Sequence, residues 1–193
     1  MLLLFFSEVN MLYDQFKAKA EAVSAEVYRF SDRNAALSWL VDFLKREGMG
    51  DTPETAALWA SGPFLTGGER QQLTSGSGIS FVVTQEMAAQ ARFGINLMAW
   101  ALADTGTLAD NSTDIDQRLV SSLPTIHIAL VPTAGILPDM PSLFTRLHPR
   151  DCSYLAMITG PSRTADIERV LTIGVHGPER LVILCIDAFE GGK

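Results

Sequence analysis

The chain has 193 residues, 47% of them hydrophobic and 19% charged, enough apolar material for one well-packed domain, which excludes a disordered or fibrous protein. A net charge of -7 and an isoelectric point near 4.9 argue against nucleic acid or anionic lipid as the main partner, because a phosphate polymer needs a clustered basic surface. Met1 to Phe6 is apolar but too short for a membrane span and lacks the basic flank of a signal peptide. It is expected to be a packed terminal segment or a start-site extension of a cytoplasmic protein.

Helical spacing runs from Asn10 to Ala22, and Glu26 to Phe30 reads as a short strand. Ser31-Asp32 offers an N-cap to an amphipathic helix over Asn34 to Glu47, with Leu37, Leu40, Val41 and Leu44 in one stripe and Gly48 as its stop. Thr55 to Ala60 is a strand, and Ser61 to Gly78, rich in Gly, Ser and Thr, is expected to be mostly irregular. Ile79 to Thr84 is a strand, Gln85 to Arg92 a short helix and Phe93-Gly94-Ile95 a turn. Leu97 to Ala103 and Leu108-Ala109, joined through Thr105-Gly106, suggest a hairpin. Asp116 to Ser121 is polar and leads through Leu123-Pro124 into a strand at Ile126 to Val131. A turn-rich stretch then precedes a helical segment at Ser142 to Leu147, and Tyr154 to Thr159 and Leu181 to Asp187 read as buried strands.

Alternating elements with continuous apolar strands argue for an α/β fold with a largely parallel sheet flanked by helices and an added antiparallel hairpin. One domain is expected over residues 1–193, with an amino-terminal helical segment (residues 1–30) packed on it. Cys185 lies in an apolar strand and reads as a core residue, and Cys152 follows a polar turn. Two cysteines that far apart and three scattered histidines give no metal site.

The most informative stretch is Gly160 to Glu168, followed by the loop Gly174 to Pro178. Placed after a strand, Gly-Pro-Ser and a short helix would gather backbone N–H groups, a guanidinium and two carboxylates at the strand's carboxyl end, where open α/β sheets bind ligands. Arg163 can hold a carboxylate or phosphate in two-point contact, or else pair with Asp166 and fix the loop. Asp166 and Glu168 suit a helix start. Asp166 would orient Arg163 or His176, and Glu168 would contact a partner. Ser162 and Thr164 read as helix caps that also face a ligand, with Gly160 and Gly177 giving close backbone approach. His176, flanked by glycine, is the proton-transfer candidate, whereas His127 reads as a core histidine and His148 as a surface residue. Asp104, Thr105, Gly106 and Thr107 would close the other wall if the hairpin tip reaches the same edge, and Asp104 with His176 would then form the catalytic pair.

Ala103 to Thr107, Leu123-Pro124 with His127, Gly160 to Glu168 and Gly174 to Pro178 resemble the motifs of the LUD domain family, in its lactate utilization protein C branch. The resemblance covers roughly residues 80 to 190, and its specific part is Ser162 to Glu168 with Val175-His176-Gly177-Pro178. Asp104 stands where the family usually carries Glu. The resemblance implies a fold similar to the ribose-5-phosphate isomerase, glucosamine-6-phosphate deaminase and CoA transferase superfamily. It also implies a part in oxidising L-lactate to pyruvate beside partner proteins that carry iron-sulfur clusters, with no cofactor in this chain. Two classes of function follow: a non-redox subunit of such a system that binds a small carboxylate, or a stand-alone CoA transferase-like or sugar-phosphate-binding enzyme or sensor.

Overall fold

A computed structural model describes residues 2–76, 78–165, 171–173 and 177–189. The longest strand among the described residues is β12 (Arg180–Ala188), whose run Leu181 to Ile186 is buried on both faces. Such a strand needs parallel neighbours covered on either side. It lies between β1 (Glu26–Asp32) and β7 (Ile126–Pro132), and the sheet continues through β4 (Phe93–Leu97) and β2 (Ala57–Trp59) to β3 (Ile79–Ser80). All these pairings are parallel.

Alternate residues sort onto the two faces. Val182, Leu184 and Ile186 meet Ala36, Leu40, Phe43 and Leu44 of α2 (Arg33–Arg46). Asp32 caps α2 by accepting from the Ala35 N–H at 2.9 Å, and Gly48 follows its end at φ +85°, as its stop signal requires. Leu181, Ile183 and Cys185 face the other way, against Tyr13, Phe16 and Ala20 of α1 (Leu2–Ala22). Each large apolar side chain fully buried this way contributes roughly 1.5–3 kcal/mol.

On the α1 side sits a second, mixed sheet. The expected hairpin forms between β5 (Trp100–Leu102) and β6 (Thr107–Asn111), flanked by β8 (Ile136–Leu137) and β9 (Leu155–Ile158). The strand expected at Tyr154 to Thr159 is therefore an antiparallel edge of this smaller sheet and no part of the parallel one. A third, two-stranded sheet pairs β10 (Arg163–Ala165) with β11 (Leu171–Ile173).

Several local expectations differ from the structure. Phe93-Gly94-Ile95 is the heart of β4 and not a turn. Gly94 is there because a Cβ would sit 1.9 Å from the Val120 carbonyl oxygen of α5 (Ile115–Ser122). The segment Ser61 to Gly78 contains α3 (Gly67–Ser75), started by a reciprocal cap in which Thr66 and Glu69 satisfy each other's backbone N–H groups. Its two leading glycines and lack of an apolar stripe hide it from periodicity. The strand at Ile79 is two residues long and is followed by α4 (Gln85–Gln90), and the last helix, α6, spans Met140–Arg146. The short helix expected after Ser162 is replaced at Arg163–Ala165 by β10.

Candidate functional site

The loop entered at Gly160 lies at the amino-terminal ends of β7 and β12, opposite to the expected edge, because β9 runs in the smaller sheet. Thr125, just before β7, accepts from the N–H groups of Glu179 and Arg180, and Ser162 N–H donates to the Pro178 carbonyl at 2.8 Å. The Gly160 to Ser162 turn and the Gly177-Pro178 loop are thus joined. Together with Ser122 and His127 they line a cavity of about 260 Å³.

Among the described residues the hairpin reaches Thr159, the residue just before this loop, as a continuation of the β6–β9 pairing. Thr107 Oγ1 and Thr159 Oγ1 are 2.8 Å apart. Gly106, at φ +69°, packs against the backbone of Lys19 and Ala20, while Asp104 and Thr105 are exposed at the tip. Gly160, also at φ +69°, packs against the Val23 carbonyl, to which Arg163 Nη2 donates at 2.8 Å while also reaching Ser24 Oγ at 2.9 Å. Gly106, Gly160 and Arg163 therefore converge on the junction between α1 and β1. Asp166, Glu168 and His176 lie outside the described residues, as does the side chain of Thr164.

Arg163→Ala removes a charged donor from the end of α1, and a loss of about 1 kcal/mol in urea denaturation is expected. An unchanged midpoint would show that the contact with Val23 is dispensable.

His127 is the one fully buried histidine among the described residues, and its ring lies 2.8 Å from Asn96 Oδ1 through Nε2. The Asn96 amide nitrogen faces Met98 Sδ, so its oxygen faces the ring. That assigns the proton to Nε2 and leaves Nδ1 an acceptor without a partner among the described residues. Burial alone pushes the His127 pKa down to about 3. An unfolded histidine titrates near 6.5, so the unfolded chain takes up the proton first as pH falls. Stability supplied by neutral His127 is whole above pH 6.5 and is lost progressively down to about 3. Denaturation midpoints across that window should fall more steeply in the wild type than in His127→Gln; parallel profiles would remove His127 as a cause.

The opposite edge of the sheet holds a larger cleft, one that the sequence motifs did not indicate. Segments leaving β2, β4, β7 and β12 bring Ser61, Ala99, Gly135 and Phe189 around a cavity of about 600 Å³. Asp110 of β6 enters it, held by the Ala99 N–H at 3.2 Å and Ser112 Oγ at 3.3 Å, and burial raises its pKa above the ordinary carboxylate value. Gln117 of α5, 8% exposed, also lines the cleft. It gives Nε2 to the Ser61 carbonyl, which orients the amide, and Oε1 has no partner among the described residues. Arg146, at the end of α6, stands exposed at the rim.

Residues 13–186 match the model of the LUD domain family. The chain belongs to that family. It is 37% identical over 108 residues to lactate utilization protein C of Halalkalibacterium halodurans, covering 53% of this chain and 47% of that protein. Against lactate utilization protein C of Bacillus subtilis strain 168 the identity is 37% over 106 residues, covering 52% and 44%. The matched part of this LUD chain thus spans about half the length of those curated relatives. The crystal structure of a DUF162 family protein from Deinococcus radiodurans shares the LUD fold seen here, with a TM-score of 0.59 over 92% of this chain and 98% of that one at 16% identity.

Proposed function

We propose that this LUD chain is a lactate utilization protein, a non-redox subunit that supports oxidation of L-lactate to pyruvate together with partner proteins that carry iron-sulfur clusters. The observation that carries this reading is its likeness to relatives named lactate utilization protein C, at 31–37% identity. The chain's chemistry agrees with a division of labour. It has two cysteines, fewer than the four thiolates that hold a common cluster, and Cys185 is fully buried with its thiol pKa pushed up to about 12. Electron transfer is then the partners' task, and this chain binds a small carboxylate. No helix among the described residues is long and apolar enough to cross a membrane, and we place the chain in the cytoplasm.

Deleting the gene should abolish growth on L-lactate as sole carbon source while leaving growth on glucose intact, and the tagged chain should co-purify with proteins bearing the visible absorption of iron-sulfur clusters. Normal growth on lactate would overturn the reading.

A further inference from the structure

We propose that the cleft at the carboxyl ends of β2, β4, β7 and β12 is a binding site for a 2-hydroxy acid, with Arg146 meeting the carboxylate and Gln117 with Asp110 receiving the hydroxyl. The choice of a 2-hydroxy acid rests on the reading of this chain as a lactate utilization protein; the location rests on geometry alone. Ligands of open parallel sheets bind where the strands end, because the loops there can vary while the strands hold them in place. Four strands deliver loops to this cleft, and its volume of about 600 Å³ admits a small acid with its bound waters.

The polar groups are complementary to an acid that carries a hydroxyl. Gln117 is held by the Ser61 carbonyl through Nε2, which fixes the amide and leaves Oε1 as the acceptor. Buried and unpartnered among the described residues, it calls for a donor, which a hydroxyl supplies. Asp110 is oriented by two donors, and its burial favours the protonated form, so that it can either accept from the hydroxyl or donate to the carboxylate. Arg146 supplies a planar fork for one carboxylate. Trp100 and Phe189 give apolar wall for the rest of the molecule.

The test is calorimetric titration of the full chain with L-lactate, glycolate and pyruvate, repeated with Arg146→Gln, Arg146→Lys and Gln117→Met, alongside Ser162→Ala at the opposite cavity. The proposal expects L-lactate and glycolate to bind. It expects Arg146→Gln and Gln117→Met each to weaken them at least about tenfold, and Arg146→Lys to recover part of the loss. Arg146 is exposed, so its variants keep the fold even if Gln117→Met does not. Binding that is lost only in Ser162→Ala would overturn the location and leave the lactate reading standing. No binding by the wild type would overturn the site even where gene deletion stops growth on lactate. Binding through Arg146 in a chain whose deletion leaves that growth intact would keep the site and remove the reading.

Discussion

Gly94→Ala is expected to cost about 3 kcal/mol or more, enough to bring a domain of ordinary stability close to unfolding. Gly94 lies in β4 between Leu58 of β2 and His127 of β7, in the middle of the parallel sheet. An added Cβ would meet the Val120 carbonyl oxygen at 1.9 Å and Pro124 Cγ at 2.8 Å. The first obstacle is helix backbone, which no rotamer change can move. Relief requires α5 to lift off the sheet, and α5 carries Val120 into the cluster of Leu58, Ala60, Ala88 and Ala91. The same movement would displace Gln117 from Ser61, so acid binding in the carboxyl-edge cleft should weaken with stability. Gly68→Ala, in α3 with nothing within 4 Å of the new carbon, is the control and should be neutral or stabilising by up to about 1 kcal/mol. Urea midpoints decide it: a Gly94→Ala curve that overlays the wild type would show that α5 moves freely on the sheet.

Gly94 also shows where sequence reading stops. Flanked by Phe93 and Ile95, it has the local signature of a turn, and only the approach of α5 explains its place in a strand. By contrast, β7 and β12 were legible because strands covered on both faces need continuous apolar runs, and α2 was legible because Asp32, the Leu40 and Leu44 stripe and Gly48 all give the same boundaries. The joining of the Gly160 turn to the Gly177 loop was legible as well. Its location was not, since a strand followed by Gly-Pro-Ser has the same pattern in a parallel sheet as on an antiparallel edge. Pairing of β9 with β6 decides between them, and that is a long-range fact. The carboxyl-edge cleft was hidden for a related reason. Ser61, Ala99, Asp110, Gln117, Gly135 and Arg146 come from separate segments, each ordinary alone, and strand order alone makes them neighbours.

Gly106→Ala is expected to lose about 3 kcal/mol, from two sources that act together. The residue sits at φ +69°, where a side chain costs roughly 1–2 kcal/mol. Its new Cβ would also lie 2.4 Å from Ala20 N and 2.6 Å from Lys19 C, in the last turn of α1, which overpacks a closed contact by a similar amount. Thr105→Ala, one residue away and exposed, should stay within about 0.5 kcal/mol of the wild type. The contrast separates two explanations of the Asp104 to Thr107 segment. A turn kept for a ligand would lose binding in Thr105→Ala and hold its stability in Gly106→Ala. A turn kept to seat α1 on the second sheet would do the reverse, and it should respond in the same way to Gly160→Ala, whose Cβ would lie 2.4 Å from the Val23 carbonyl at the same junction. Equal midpoints for Gly106→Ala and the wild type would return the hairpin tip to the candidates for ligand contact. Parallel losses in Gly106→Ala and Gly160→Ala would make both glycines one clamp on α1, leaving the carboxyl edge of the parallel sheet as the place to look for chemistry.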